Sequence, residues 1–246
     1  MSLLKGHHAV ITGGGTGIGA AVARALGAEG ACLTLVGRRR DKLEEVGCGD
    51  FDALVAPADV TVRAEVDRAF AIAREAQGPI TILVNNAGAA AGMPFGKVTE
   101  ILWRDIMAVN LDGLFHCCQA ALPDLLAAPA GRIVTIASVA GLRGFAYAAP
   151  YIAAKHGAVG LTRALAAEYG GRNLRVNAVC PGFVDTDMTV QSVATITAKT
   201  GRSADEARAE LARLNPSGRL ISPEEVAAEV LDLIVSERNG EAVEIA

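Results

Sequence analysis

His8-Ala9-Val10-Ile11-Thr12-Gly13-Gly14-Gly15-Thr16-Gly17-Ile18-Gly19-Ala20 is the stretch on which the fold turns. Its first five residues read as a short buried strand, and the residues from Gly17 onward read as a helix. Glycines between the two allow a tight turn and let the backbone approach a pyrophosphate. The charge of such a group meets the free N–H groups and the positive end of the helix. Two spacings fit. Gly15, Gly17 and Ala20 satisfy G-x-G-x-x-A, while Gly13, Gly17 and Gly19 satisfy G-x-x-x-G-x-G. Either way a strand precedes and a helix follows, which is the context the motif requires. A plain flexible turn would not need so many glycines.

Working outward, apolar runs alternate with helical patterns to the end of the chain. Residues 8–12, 31–36, 53–58, 80–84, 132–137, 175–179 and 242–245 read as strands, mostly continuous in apolar character. A parallel sheet covered on both faces asks for that pattern. Helical stretches fall at 17–29, 39–46, 63–77, 100–126 (two helices, with Pro123 near the end of the second), 150–169 and 223–236. The expected fold class is therefore α/β, one domain over residues 1–246. Its doubly wound parallel sheet has about seven strands, right-handed crossovers and helices on both faces. Residues 187–217 break the rhythm, carrying one short amphipathic helix at 204–214. A connection that long is expected to be a substrate lid, with an ordinary surface excursion as the alternative.

Composition narrows the class of partner. The 246 residues carry a net charge of −4, so a nucleic-acid surface is not expected, and no apolar run is long enough for a membrane span. The glycines at 13–15 interrupt the N-terminal apolar run, so no signal peptide is expected. The five cysteines are odd in number and scattered, which fits small buried side chains in a reducing cytoplasm. His116-Cys117-Cys118 is no metal site, because consecutive helical residues point in different directions. No metal is expected.

Past the second strand the chain reads Val36-Gly37-Arg38-Arg39-Arg40, with no acid before Asp41. Folds that bind NAD place an acid near this point for the ribose 2′-OH. A basic Arg38 instead suits a 2′-phosphate, which favours NADP over NAD, with NAD still possible. Arg39 and Arg40 are assigned to solvating the start of the next helix. Farther along, Tyr151 and Lys155 stand four residues apart and share one helix face. A free phenol has a pKa of about 10. A cation beside it is expected to bring that value toward neutrality, making the pair an acid–base device.

The chain resembles the short-chain dehydrogenase/reductase family, in its compact single-domain form, over essentially its whole length. The matching pieces are Thr12-Gly13-x-x-x-Gly17-x-Gly19, Asp59-Val60, Asn85-Asn86-Ala87-Gly88, Asn110, Ser138, Tyr151-x-x-x-Lys155 and Pro181-Gly182-x-x-x-Thr186. The resemblance implies a Rossmann-type sheet and a ketone–alcohol oxidoreductase that uses a nicotinamide dinucleotide. It implies Tyr151 as general acid or base, and Lys155 as the group that tunes it and binds the nicotinamide ribose. Ser138 would polarise the substrate carbonyl, and Asn110 would hold a relay water. For the cofactor it implies Gly13, Thr16, Gly17, Ile18 and Gly19 at the pyrophosphate, and Asp59 and Val60 at the adenine. Asn86, Ala87 and Gly88 would line the middle of the cofactor, with Pro181, Gly182, Val184 and Thr186 at the carboxamide. It also implies a homo-oligomer, in relatives usually a tetramer. One departure is that the chain ends at Glu244-Ile245-Ala246, without the Asp-Gly-Gly-like tail common in the family.

The wording around Tyr151 and Asn177–Val184 looks like ketoreductases and 3-hydroxyacyl-CoA dehydrogenases. Arg143 has two readings, a contact for the phosphate of a coenzyme A or acyl-carrier thioester, or a surface residue. Three functions follow: a 3-oxoacyl thioester reductase or its reverse, a dehydrogenase of another small-molecule alcohol (cyclic, sugar or steroid-like), and a non-enzymatic dinucleotide-binding regulator. The intact set Asn110, Ser138, Tyr151 and Lys155 speaks against the regulator.

Overall fold

The structure is a computed structural model, and it describes residues 2–48, 51 and 53–246. Its seven strands are β1 (His8–Thr12), β2 (Cys32–Gly37), β3 (Ala53–Pro57), β4 (Ile82–Asn85), β5 (Gly131–Ile136), β6 (Leu174–Pro181) and β7 (Ala242–Ile245). They form one parallel sheet in the order β3-β2-β1-β4-β5-β6-β7. The order reverses between β1 and β4, and the crevice above that switch point is where doubly wound sheets bind ligands.

Side chains alternate between the two faces of the sheet, as the pleat demands. On one face, Ala9 and Ile11 of β1 pack with α1 (Gly17–Ala28) and α9 (Pro223–Val235) through Leu26, Val230 and Leu233. On the other, Val10 packs with α3 (Arg63–Gln77), α5 (Gly113–Ala127) and α6 (Ala149–Tyr169) through Phe70, Leu125 and Ala158. Helices α2 (Arg40–Gly47) and α4 (Glu100–Met107) complete the crossovers.

Two elements differ from expectation. The stretch expected as two separate helices between 100 and 126 is continuous, with α4 running through a π-helical turn, Ala108–Asp112, into α5. The long connection after β6 holds two helices rather than one, α7 (Asp187–Thr200) before α8 (Ala204–Arg213).

Candidate active site

The switch point is fastened by side chains of the two strands that meet there. Thr12 Oγ1 accepts from the N–H groups of Asn86 and Ala87, each at 3.0 Å. Asn86 Nδ2 returns bonds to the carbonyls of Thr12 at 3.0 Å and Gly13 at 3.1 Å. The turn between β1 and α1 has no room for side chains. A Cβ on Gly13 would fall 2.8 Å from Asn86 Nδ2, and one on Gly19 would fall 2.2 Å from the Gly13 carbonyl oxygen. Gly17 sits at φ +51°, a left-handed value that suits glycine. At the N-cap of α1, the Thr16 side chain makes no capping bond, and the first turn carries no acid. The helix N-terminus is left to an external anion, and this cradle fits a pyrophosphate. Ile18 packs beneath it against the core.

Beyond β2, Arg38 is exposed and makes no hydrogen bond or ion pair among the described residues. Arg40 is taken by Glu44 at 3.0 Å, whereas Arg39 Nη2 lies 3.4 Å from Thr16 Oγ1, at the lip of the cradle. Arg39 was expected only to solvate a helix. Its guanidinium leans back across 23 residues, which no local pattern reveals. Asp59 accepts from the backbone and hydroxyl of Thr61 at 2.9 and 2.8 Å, and Val60 is buried against Gly113.

At the far ends of β4, β5 and β6 the other expected residues come together. Asn110 lies in the π-helical turn, buried, donating to the carbonyls of Ala89 at 2.8 Å and Ile106 at 2.9 Å. Gly88 runs alongside, where a Cβ would stand 3.0 Å from Asn110 Oδ1 and 3.7 Å from Lys155 Nζ. Lys155 is buried, donates to the Ile136 carbonyl at 2.8 Å and lies 5.6 Å from the centre of the Tyr151 ring. Ser138 caps a short 3₁₀ turn, Val139–Gly141, by accepting from the Ala140 N–H at 3.1 Å. Its hydroxyl stands 3.5 Å from the Pro181 carbonyl.

The electrostatics differ from what was expected of Tyr151 and Lys155. Burial pushes the Tyr151 phenol up, and a hydrogen bond with Ser138 draws it partly back. Burial also pushes Lys155 down to about 8. The ammonium donates to the Ile136 carbonyl, and Lys155 is not among the groups that lower the tyrosine. Desolvation outweighs the Ser138 hydrogen bond.

Past Pro181, Gly182 and Val184 lead to Thr186, the N-cap of α7. Thr186 touches the cradle, since a Cβ on Gly17 would fall 3.0 Å from Thr186 Cγ2. Arg143 is held by Glu244 of β7 at 2.7 Å. That pair spans 101 residues and was invisible in the sequence. Two further residues were not read as site residues: Cys180, whose buried thiol is held in its neutral form by burial, and Asn215. Among the described residues there is no cluster of metal ligands, and no helix is long and apolar enough to cross a membrane.

The family profile described as short chain dehydrogenase matches residues 7–197. The chain belongs to the short-chain dehydrogenases. It is 41% identical over 239 residues to 2-(S)-hydroxypropyl-CoM dehydrogenase 3 of Xanthobacter autotrophicus, covering 94% of this chain and 90% of that one. Galactitol 2-dehydrogenase (L-tagatose-forming) of Cereibacter sphaeroides is 39% identical, covering 94% of this chain and 88% of the relative. Among solved structures, actinorhodin polyketide ketoreductase with NADPH, a point variant, superposes with a TM-score of 0.93 at 35% identity, covering 98% and 95% of the two chains. This short-chain dehydrogenase is thus an oxidoreductase acting on CH–OH groups, which leaves the regulator without support.

Proposed function

We propose that this short-chain dehydrogenase is a single catalytic domain that uses NADPH to reduce a 3-oxoacyl thioester, or runs the reverse 3-hydroxyacyl-CoA dehydrogenation. The observation that carries this reading is the meeting of Tyr151, Lys155, Ser138 and Asn110 beside a glycine cradle shaped for a dinucleotide. When bound, the dinucleotide supplies the hydride. Tyr151 gives its phenolic proton to the alkoxide formed at the substrate carbon. Ser138 holds the carbonyl oxygen as charge develops on it, an interaction that strengthens toward the transition state. Lys155 would hold the nicotinamide ribose and pass on a replacement proton through the small pocket it lines with Asn110, Thr12 and Asn85. Asp59 and Val60 would face the adenine, Asn86 to Gly88 the middle of the dinucleotide, and Pro181, Gly182, Val184 and Thr186 the carboxamide. Arg38 would pair with the 2′-phosphate, and α7 and α8 would form the lid.

With Arg143 held by Glu244, contact with a carrier phosphate requires that pair to open. The family reading also carries a homotetramer in a cytoplasmic setting. The exposed Ile101, Trp103 and Phe115 on α4 and α5 supply apolar surface for packing between copies. The second reading, oxidation of another secondary alcohol, draws support from the relative named for galactitol. The test is NADPH consumption with acetoacetyl thioesters, cyclic ketones and ketoses side by side. Selective turnover of the thioesters supports the first reading, and turnover of ketoses or cyclic ketones alone replaces it with the second.

A further inference from the structure

Asn215 follows the last helix of the lid, and its buried amide is fully engaged. It is 3% exposed. Its Oδ1 accepts from the Phe183 N–H at 2.9 Å, while Nδ2 donates to the Phe183 carbonyl at 2.9 Å and to the Arg219 carbonyl at 2.7 Å. The side chain thus pairs with both backbone groups of one residue, as a neighbouring strand would. Close approach is enforced next door, because a Cβ on Gly182 would fall 2.2 Å from Asn215 Oδ1.

Phe183 lies in the segment 182–186, which leads out of β6, touches the cradle through Thr186 and runs into α7. Other bonds tie the same segment to the lid's two roots. The Ile221 N–H donates to the Phe183 carbonyl at 3.0 Å, and the Asp185 N–H donates to the Ile221 carbonyl at 2.9 Å. Thr189, in the first turn of α7, donates its hydroxyl to the Val184 carbonyl at 2.5 Å. The Arg208–Asp185 ion pair is half-exposed and contributes little by comparison. Asn215 is the only one of these partners that is a buried side chain reaching from the lid's far end.

We propose that Asn215 is a positioning residue that clips segment 182–186 in place, so that the lid and the nicotinamide end of the cofactor site move as one unit. The proposal rests on the dinucleotide site argued above. Losing the amide leaves the Phe183 N–H without its acceptor and removes the buried side-chain link between the lid's two roots, leaving the backbone bonds of Ile221.

The experiment combines hydrogen exchange on the protein alone with calorimetric titration of NADPH. The variants are Asn215→Ala, Gly182→Ala and the double variant, and Val230→Ala in the core beneath α9 serves as a stability control. In Asn215→Ala, exchange should quicken together across 182–186 and 187–214, with the sheet unchanged, and NADPH should bind on the order of tenfold more weakly. Gly182→Ala should show the same loss by pushing Asn215 away. Added to Asn215→Ala it should cost nothing further, because its new methyl then has room. Val230→Ala should lower the melting temperature without either effect.

Faster exchange confined to the lid, unchanged NADPH affinity in Asn215→Ala, or additive losses in the double variant would each overturn the clip. If Asn215→Ala does not fold, Gly182→Ala carries the same two readouts, and normal exchange with normal affinity there overturns the proposal. A wild-type protein that binds no NADPH sinks the dinucleotide reading instead, and the exchange data still judge the clip.

Discussion

At neutral pH a phenol whose pKa is raised keeps its proton, and burial puts Tyr151 in that state. It is therefore an acid waiting for an alkoxide. Reduction should hold its rate through neutrality and fall as pH rises through the tyrosine's pKa. Oxidation, which needs the phenolate, should rise over the same range, and initial rates in both directions against pH check this. Lys155 titrates near 8 in the protein itself, so it is a cation below that value and neutral above it. NADPH affinity should weaken as pH passes about 8, and calorimetric titration from pH 6.5 to 9.5 tests the sign. Arg38 offers a separate test. Charge-assisted bonds of this kind are worth about 1.5–3 kcal/mol. Arg38→Asp should move the ratio of kcat/KM for NADPH over NADH toward NADH by at least about tenfold. An unchanged ratio would transfer the 2′-phosphate to Arg39. That most of these candidate residues would gather at one end of the sheet was legible because they fall in motifs of fixed spacing. The Arg143–Glu244 pair and the lean of Arg39 were not, because tertiary distance alone creates them.

Elements were legible where composition and packing agree. Helix α7 was missed because seven of the fourteen residues in Asp187-Met-Thr-Val-Gln-Ser-Val-Ala-Thr-Ile-Thr-Ala-Lys-Thr200 are β-branched, which lowers intrinsic helix preference. Ser192, Thr195 and Thr200 turn their hydroxyls back to the carbonyl four residues earlier, which satisfies those groups within the helix. The π-helical turn at Ala108–Asp112 left no mark either, since neither glycine nor proline lies within it. One element carries a pH signature. His8 of β1 is buried, with Nδ1 2.8 Å from the Gly78 carbonyl and Nε2 2.9 Å from Thr34 Oγ1. A neutral ring with its proton on Nδ1 donates to the Gly78 carbonyl, while the Thr34 hydroxyl beside Nε2 donates to Gln77 Oε1 at 3.1 Å. Burial lowers its pKa below 6.5, so the fold favours the neutral form. That contribution is fully present above pH 6.5 and is lost as pH falls through the lower folded value. Melting temperature should therefore drop on acidification below 6.5, and His8→Gln should flatten that part of the profile.

At the scale of the molecule, the alternation of apolar runs and helical patterns was enough to anticipate a parallel sheet wrapped on both faces. The order β3-β2-β1-β4-β5-β6-β7 follows from that alternation with right-handed crossovers and one reversal. The reversal places the glycine cradle beside the ends of β4, β5 and β6, so Asn86–Gly88 bridge from Gly13 at one end to Lys155 at the other. Substrate choice was not legible, because it depends on the surface between the lid and residues 139–149, where no motif fixes side chains. The central claim is that Tyr151 delivers the proton during hydride transfer at this site. The measurement that tests it most directly is single-turnover NADPH oxidation by wild type and Tyr151→Phe with one accepted ketone, alongside NADPH titration of both. The account predicts a rate lower by about 10²–10⁴-fold in the variant with NADPH affinity retained. A variant that turns over at the wild-type rate would contradict it.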